Sequence, residues 1–479
     1  MAERLSTTES LLSLIRDGKP VSFRQQLKLT AYLSTPAIMA QLSAIAMQYI
    51  DASMVGSLGA EASASIGLVS TTTWLFWGIL SAAATGFSVQ VAHKIGAGDM
   101  NSARSTLRQA FLAVGAFSVL LAFAGVAISG ALPAWLGGHE SIRADASKYF
   151  LIFSLFLPAL QMSFLAGAML RCAGNMKVPS ALNVAMCVLD VILNFFLIFP
   201  YREIDAGFIR ISMPGAGMGV EGAALATVLA ETIVAALMIY YLVCRSEILR
   251  LRKRPGSFMP RESTLRKALH IGLPMGLEHI AICGAQIMVT VIVAPLGVIP
   301  IAANAFAIIA ESLCYMPGYG IAEAATTLSG QSFGAGRPDL TRRFGAITIG
   351  SAMAVMGLLG IVMYLFSYEI ISVMSPVGDI RTLGSDILRI EAWAEPMFAA
   401  AIVAYGFFIG LGRTVMPSAL NLVSIWGVRL TLAAWLAPVM GLRGVWLAMC
   451  VELCFRGAAF LILFFNHCYK TGHKLKSSL

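Results

Sequence analysis

Acidic side chains lie inside several apolar stretches of this 479-residue chain. Asp51 interrupts the run TPAIMAQLSAIAMQYIDASMVGSLG, and Asp190 precedes Asn194 by one helical turn in a later run. A lone charge inside a bilayer costs about 2.5–3.5 kcal/mol, so an acid at this depth is a functional hypothesis by default. A buried carboxylate can take up a proton or bind Na⁺, because a low dielectric disfavours its bare charge. We predict an ion-coupling site at Asp51, Asp190 and Asn194. The alternative is that these are polar side chains satisfied by their neighbours.

A second set of polar side chains occupies apolar stretches later in the chain. Two of its members are adjacent, and two others lie one helical turn apart on one face. Acids that line a cavity attract cationic ligands, and a histidine can carry protons near neutral pH. The predicted substrate and cation cavity comprises Glu278, His279, Glu311, Glu323, Glu391 and Glu395. The alternative is that some of these acids face loops or pair with Arg381 and Arg389.

The composition is that of a protein that crosses a membrane many times. Hydrophobic residues make up 58% of the chain and charged residues only 12%, whereas a soluble domain is about 25% charged. Helices satisfy their own backbone hydrogen bonds in lipid, so long apolar stretches predict an all-α integral membrane fold. Twelve spans are predicted, at 29–54, 64–88, 107–132, 147–170, 179–199, 222–244, 271–294, 303–327, 344–368, 385–410, 417–438 and 443–467. Pro36 lies in the first span, where its missing hydrogen bond predicts a hinge.

The distribution of Lys and Arg predicts the orientation of the chain. Of 34 such residues, 25 fall in the lead-in 1–28, the even-numbered connections and the tail 468–479, and 7 fall on the other side. This bias places both termini in the cytoplasm. The net charge of +9 then belongs to cytoplasmic loops and not to a nucleic-acid-binding surface. The polar linker 245–270 separates an N-terminal lobe, 29–244, from a C-terminal lobe, 271–467. We expect a monomer in a bacterial plasma membrane.

The second half of the chain repeats the first at an offset of 238 residues. GAG at 96–98 matches GAG at 334–336, and PSALN at 179–183 recurs at 417–421. The first half carries 16 extra residues between its fifth and sixth spans. Six spans per repeat is an even number, so both halves enter the membrane from the same side. This predicts two six-helix lobes related by a parallel repeat, a common plan for transporters with a site between the lobes.

The repeat also separates structural residues from candidate functional ones. The counterpart of Asp51 is Val289, and the counterpart of Asp190 is Val428. The repeated fold therefore does not require an acid at either position, which favours a functional role for both.

These segments together resemble the MATE (multidrug and toxic compound extrusion) transporters over nearly the whole chain. QYIDASMVGSLG (48–59) resembles the family's first helix, where an Asp precedes a short M-x-G turn. LRCAGNMKVPSALN (170–183) resembles its connection after the fourth span. VAHKIGAGDMNSARS (91–105) and LSGQSFGAGRPDLTRR (328–343) resemble its two Gly-rich cytoplasmic loops. The resemblance implies the MATE fold and a cation-coupling role for Asp51.

The sequence departs from the resembling family at several polar positions. Family members often carry Asn then Asp, or Asn twice, where this chain has Asp190 then Asn194. The acids that the family often carries in its seventh and tenth spans fall at Ile282 and Phe398 here. Glu278 and Glu395 lie about one turn away from these two positions. We therefore predict that each takes the place of the family's acid, shifted along its helix.

The resemblance implies a secondary active antiporter that exports organic, cationic or amphipathic compounds in exchange for H⁺ or Na⁺. One alternative keeps the fold but flips lipid-linked sugars or precursors, whose anionic cargo would favour basic residues in the spans. This chain has more acids than bases there, which argues against it. Another alternative is a membrane scaffold without transport. The chain has no P-loop and no HExxH helix, so we expect no enzymatic activity, no cofactor and no metal site.

Overall fold

Helices form almost the whole chain in the computed structural model, which describes residues 7–205, 210–252 and 256–476. The helices are α1 (Thr7–Arg16), α2 (Phe23–Gly56), α3 (Ala60–Gly96), α4 (Met100–Ile128), α5 (Leu132–Trp135), α6 (Glu140–Leu155), α7 (Leu157–Cys172), α8 (Lys177–Leu197), α9 (Gly219–Tyr240), α10 (Glu262–Val293), α11 (Val298–Gly334), α12 (Pro338–Leu365), α13 (Ser367–Met374), α14 (Gly378–Ala392), α15 (Glu395–Gly410), α16 (Val415–Val423), α17 (Thr431–Met440) and α18 (Leu442–Lys476). Two π-helical segments, Tyr241–Arg245 and Ser424–Leu430, extend α9 and join α16 to α17. A 3₁₀ turn, Ala294–Leu296, follows α10.

Within the described ranges, ten helical segments are long and apolar enough to cross a membrane, and two bent helix pairs bring the number to twelve. The pairs α6–α7 and α14–α15 bend by 50° and 57°. A proline lies in the first turn of the second helix of each pair, Pro158 in α7 and Pro396 in α15. Proline has no N–H to donate, so each span breaks just before it. The predicted all-α fold with twelve spans is confirmed, and equivalent prolines of the repeat produce equivalent bends.

The extra residues of the first half contain a β-hairpin that the sequence analysis did not predict. Its strands are β1 (Pro200–Asp205) and β2 (Arg210–Ala216), which pair antiparallel with Pro200 opposite Ala216. Gly217, just after β2, has a φ of +65°, a conformation that glycine adopts without strain. The hairpin connects α8 to α9.

The chain divides into two compact units. The larger unit contains the residues up to Leu42, the segment Ala92–Asp99 and His270–Leu479, and the smaller unit contains Ser43–Val91 and Met100–Leu269. Helix α2 therefore contributes Pro36 to the larger unit and Asp51 to the smaller one. The lobes 29–244 and 271–467 remain a prediction that rests on the repeat.

Helices α11, α12, α15 and α18 form one core of the larger unit. Phe407 and Phe460 are fully buried there among small residues. The hydroxyls of Thr326 and Ser329 donate to the backbone oxygens of Gly406 and Phe407, at 2.8 and 3.1 Å. Small residues allow helices to approach closely, and hydrogen bonds between helices then stabilise their association in lipid.

The smaller unit has an aromatic core and a second apolar cluster. Phe76 of α3 meets Phe150 of α6 edge to face, with ring centroids 5.8 Å apart. Val55, Ile198 and Ala223 bring α2, α8 and α9 together in the second cluster. This cluster fixes the end of α2 that carries Asp51.

The two Gly-rich segments of the repeat meet inside the larger unit, where α3 and α11 end. A Cβ on Gly96 would collide with the backbone of Gln331, and a Cβ on Gly334 would collide with the backbone of His93. His93 and Gln331 are themselves equivalent positions, 238 residues apart. The contact is therefore reciprocal, as expected for two copies related by a twofold axis.

Candidate functional site

Asp51, Asn194 and Asp190 form one hydrogen-bonded group in the smaller unit. The amide Nδ2 of Asn194 donates to Oδ1 of Asp51 at 2.8 Å and to Oδ2 of Asp190 at 3.0 Å. A single NH₂ group thus joins a carboxylate of α2 to a carboxylate of α8. The structure brings together all three residues of the predicted ion-coupling site.

Two buried oxygens of this group accept no hydrogen bond from the described residues. They are Oδ1 of Asp190 and Oδ1 of Asn194, on side chains that are 0% and 1% exposed. A buried acceptor without a donor costs about 1–3 kcal/mol. Two carboxylates held on one amide in desolvated surroundings also repel each other. A proton or a small cation bound here would relieve both costs.

Local sequence explains how these side chains are positioned. Asp190 and Asn194 are four residues apart in α8 and so share a helix face. Val55 lies one turn after Asp51, and Ile198 lies one turn after Asn194. Because Val55 and Ile198 belong to one buried apolar cluster, they hold α2 against α8 next to the polar group.

The equivalent place in the second repeat is apolar. Val289, the counterpart of Asp51, packs against the buried cluster of Ala285, Ile425 and Leu430. A hydrophobic side chain therefore satisfies the packing at this position of the fold, and the acid of the first repeat needs another explanation.

Glu278 has its own polar partners in the larger unit. Its carboxylate accepts hydrogen bonds from Oη of Tyr405 and from Nδ2 of Asn421, the latter at 2.5 Å. Oγ of Ser418 lies 3.4 Å from the Tyr405 oxygen. His279, the next residue of α10, is half-buried. No sequence signal marks Tyr405 as a partner of Glu278, whereas the recurrence of PSALN is a signal for Asn421.

Three glutamates from α11, α14 and α15 are buried in the larger unit. Glu391 lies near the end of α14 and Glu395 begins α15, so they flank the 57° bend. Both are 0% exposed, and their carboxyl oxygens accept no hydrogen bond from an N–H or O–H group of the described residues. Glu311 of α11 interacts electrostatically with both. Glu311, Glu391 and Glu395 thus form a buried acidic cluster, in which the carboxyl oxygens of Glu391 and Glu395 have no N–H or O–H donor among the described residues.

The arginines considered as alternative partners of these acids bond elsewhere. Nε of Arg381 donates to the backbone oxygen of Ser375 at 2.7 Å. Nε of Arg389 donates to the hydroxyl of Ser367 at 3.0 Å. Both arginines therefore leave the acids at the α14–α15 bend without a direct guanidinium partner.

Glu452 of α18 is the centre of a buried charged network. Arg429 donates from Nε and Nη2 to Oε2 of Glu452, at 3.0 and 2.7 Å, and Oγ of Ser424 donates to Oε1 at 2.5 Å. Nε of Arg456 lies 3.0 Å from the same Oε1, and its guanidinium lies 5.5 Å from the Phe398 ring centroid. The spacing of four residues in one helix indicated the pairing with Arg456. Arg429 arrives from a π-helical segment and had no such signal.

The last predicted polar residue contacts the first span. Oε1 of Glu323 accepts a hydrogen bond from Nε2 of Gln41 at 3.3 Å. Nearby, a Cβ on Gly320 would come within 2.6 Å of the backbone nitrogen of Ile38. Pro36, the predicted hinge, precedes this contact region in a helix that continues through it.

In residues 7–205, 210–252 and 256–476, no group of three or more His, Cys, Asp or Glu side chains is arranged to hold a metal ion. The carboxylate and amide oxygens around Asn194 are instead suited to a proton or a single monovalent cation.

Comparison with known proteins agrees with this architecture. The sequence model of the MatE family matches residues 36–196 and 274–435, and the two matches begin 238 residues apart, at the offset of the repeat. The chain is 27% identical to the "Probable multidrug resistance protein NorM" of Thermotoga maritima over 440 residues, which covers 91% of each chain. It is 25% identical to the protein of the same name from Neisseria meningitidis serogroup B over 472 residues, covering 93% of this chain and 98% of that one.

Solved structures show the same fold. "Outward-facing conformation of a multidrug resistance MATE family transporter of the MOP superfamily" superposes with a TM-score of 0.86 at 19% identity, covering 98% of this chain and 99% of that one. With twelve membrane-spanning segments and a family match to both halves, this chain belongs to the MatE family of transporters.

Proposed function

We propose that this chain is a secondary active antiporter that exports organic, cationic or amphipathic compounds in exchange for H⁺ or Na⁺. The names of its relatives in Thermotoga and Neisseria, multidrug resistance proteins, support export as the process. It would act as a monomer in a bacterial plasma membrane, with both termini in the cytoplasm, without a cofactor and without chemical conversion of its cargo. The observation that best supports ion-coupled transport is that the amide of Asn194 donates to both Asp51 and Asp190.

Ion coupling follows from the two charge states of this group. When the group is empty, the carboxylates of Asp51 and Asp190 repel each other across one NH₂ group. A proton on either carboxylate removes that repulsion. Na⁺ would do the same, because the unsatisfied Oδ1 atoms of Asp190 and Asn194 are hard oxygen ligands. Binding and release of the ion thus change how tightly α2 and α8 are held together.

The balance of buried charge supports a cationic cargo. Among the described residues, the buried acids are Asp190, Glu231, Glu278, Glu311, Glu391, Glu395 and Glu452, and the buried arginines are Arg104, Arg108 and Arg456. Two of those arginines lie near the start of α4, and the third is paired. An excess of buried acid attracts cations and disfavours the anionic cargo of a lipid-linked precursor flippase. We assign attraction of the cargo to Glu278, His279, Glu311, Glu323, Glu391 and Glu395.

Pro36 is the hinge in this proposal. It lies in the part of α2 that packs against α11 through Ile38 and Gln41, whereas Asp51 lies in the part assigned to the smaller unit. Because proline removes one backbone hydrogen bond of the helix, bending is easier here than elsewhere in α2. When the Asp51 group gains or loses its ion, bending of α2 at Pro36 would transmit the change to the part of α2 that belongs to the larger unit.

The test uses purified protein in liposomes with an imposed pH gradient or an imposed Na⁺ gradient. Efflux of a fluorescent organic cation is followed for the wild type, for Asp51→Asn and for Glu61→Gln. Glu61 is an exposed acid in the first turn of α3 and serves as the matched control. We expect flux that follows one of the two gradients, is abolished in Asp51→Asn and persists in Glu61→Gln.

Other outcomes would contradict the proposal in different ways. Flux that is equal in Asp51→Asn and wild type would remove the coupling role of that residue. Absence of cation flux under both gradients, with movement of a lipid-linked anion, would favour the flippase alternative. Absence of any flux in protein that is shown to be folded would favour a scaffold.

A further inference from the structure

A cavity of about 440 Å³ lies in the larger unit, away from the acids described above. It is an open cavity, lined by the end of α11, the start of α12, the turn after α15 and the last part of α18. The polar side chains that line it are Arg337, Thr341, Arg342, Arg413, His467 and Lys470. The lining therefore contains four cationic side chains and no carboxylate.

Three of the four cations of this cavity have no ion pair within the described part of the chain, whereas the fourth, Arg337, lies 3.4 Å from Oδ2 of Asp339 in the first turn of α12. Arg342 donates to the backbone oxygens of Pro338 and Cys468, at 3.3 and 3.4 Å, and so has only neutral partners. Arg413 donates from Nη1 to Nδ1 of His467 at 3.2 Å. No described carboxylate lies within 4.0 Å of the charged nitrogens of Arg342, Arg413 or Lys470.

The bond between Arg413 and His467 orients both side chains. A guanidinium can only donate, so Nδ1 of His467 must be the acceptor, and this ring nitrogen carries no proton. The histidine therefore holds the arginine in place without cancelling its charge. A ligand with negative charge would meet an arginine that is already oriented.

Helix α12 adds backbone donors to the same place. The helix is 28 residues long and begins at Pro338, and no side chain caps its N-terminus. The first N–H groups of a helix lack intrahelical partners and carry a partial positive charge, which makes a helix start an anion site. Gly336, which also lines the cavity, has a φ of +66° and no side chain to obstruct the approach.

We propose that this cavity binds the phosphate group of an anionic ligand, with Arg342, Arg413 and Lys470 as the principal cationic contacts. Arginine matches the geometry of phosphate oxygens, and lysine contributes a point charge. The phosphate can belong to the headgroup of an anionic phospholipid or to a soluble phosphate compound. Basic pockets at the cytoplasmic ends of membrane helices commonly take such headgroups. The site stands apart from the proposed ion coupling.

The test measures ligand-induced thermal stabilisation of the purified, delipidated full-length protein. Cardiolipin or phosphatidylglycerol is titrated in one arm, phosphatidylcholine in a second and inorganic phosphate in a third. The variants are Arg342→Gln, Arg413→Gln and Lys470→Gln, with Arg343→Gln as the control. Arg343 neighbours Arg342 in α12 but is exposed and does not line the cavity.

We expect stabilisation by the anionic lipids or by phosphate, with affinity about fivefold weaker for each cavity cation removed and unchanged in Arg343→Gln. Because Lys470 is exposed, its variant keeps the test valid if an arginine variant fails to fold. Stabilisation by anionic lipid alone assigns the site to a headgroup, and stabilisation by phosphate alone assigns it to a soluble compound. Equal loss in Arg343→Gln, or equal stabilisation by phosphatidylcholine, would overturn the proposal.

Discussion

Glu452 is the residue at which two buried charges and one partly buried charge of the larger unit meet. It has no exposed surface, whereas the side chains of Arg429 and Arg456 are 15% and 11% exposed. In a low dielectric, two guanidinium groups are tolerated so close together only because one carboxylate lies between them. The single acid therefore decides whether both arginines can keep these positions.

Replacing Glu452 by Gln should destabilise the protein by about 3–5 kcal/mol, since it leaves the buried Arg456 and the largely buried Arg429 without their carboxylate. The measurement is thermal unfolding in detergent. The matched control is Asp386→Asn, which breaks the exposed pair with Arg443 and should cost less than about 1 kcal/mol. Equal losses of stability in the two variants would show that the network around Glu452 is not the buried anchor inferred here.

At the scale of elements, the crossing of α3 and α11 depends on residues without a side chain. Gly96 and Gly334 each face the backbone of the opposite helix, and Gly330 faces the Cβ of Ala92. Ala92 and Gly330 are again equivalent positions of the repeat. Close approach of two helix backbones requires such small residues, so the first glycine of each repeated GAG segment serves helix packing.

Gly96→Ala should destabilise the protein by about 1–3 kcal/mol, because its Cβ would force the backbone of α11 away. The control is Gly67→Ala in the same helix, where no atom lies within 4 Å of an added Cβ. There the better helix propensity of alanine should leave stability unchanged or raise it by up to about 1 kcal/mol. Thermal unfolding of both variants checks the difference. A neutral Gly96→Ala would mean that the helices can separate at no cost.

At the scale of the whole molecule, the distribution of Lys and Arg among the connections predicts which side of the membrane each connection faces. The connection between α2 and α3 should face outward and the segment before α10 inward, because the Lys and Arg residues concentrate on the side of the latter. Exposed serines are available on both, Ser57 in the first and Ser257 in the second.

Ser57→Cys should react with a membrane-impermeant maleimide in intact cells, and Ser257→Cys should react only after the membrane is permeabilised. The physical reason is that positively charged connections stay on the cytoplasmic side. Labelling of the unsubstituted protein, which has eight cysteines of its own, provides the background. The reverse pattern would place both termini outside the cell and contradict the predicted topology.

Much of the fold follows from sequence because its signals are local or repeated along the chain. Span length, apolar composition and the 238-residue offset locate the twelve spans. The two bent spans do not follow from the prolines alone, since Pro36, Pro274 and Pro317 lie inside continuous helices. The hairpin after α8 was not foreseen, since a short insertion between spans does not reveal whether its halves will pair. The two acids of the predicted ion-coupling site stand out in the sequence because an acid in an apolar stretch is costly, and their role in ion coupling stays a prediction.

The amino-acid sequence alone establishes the class of this protein, its twelve spans and its repeat, and it marks the acids that lie inside the spans. The tertiary structure decides which of those side chains meet. Asn194 reaches Asp51 across 143 residues of sequence, and Arg429 reaches Glu452 from another helix. Contacts of this kind depend on the rotation and depth of each helix relative to its neighbours. Spacing within one helix specifies a face, but only packing brings two faces together.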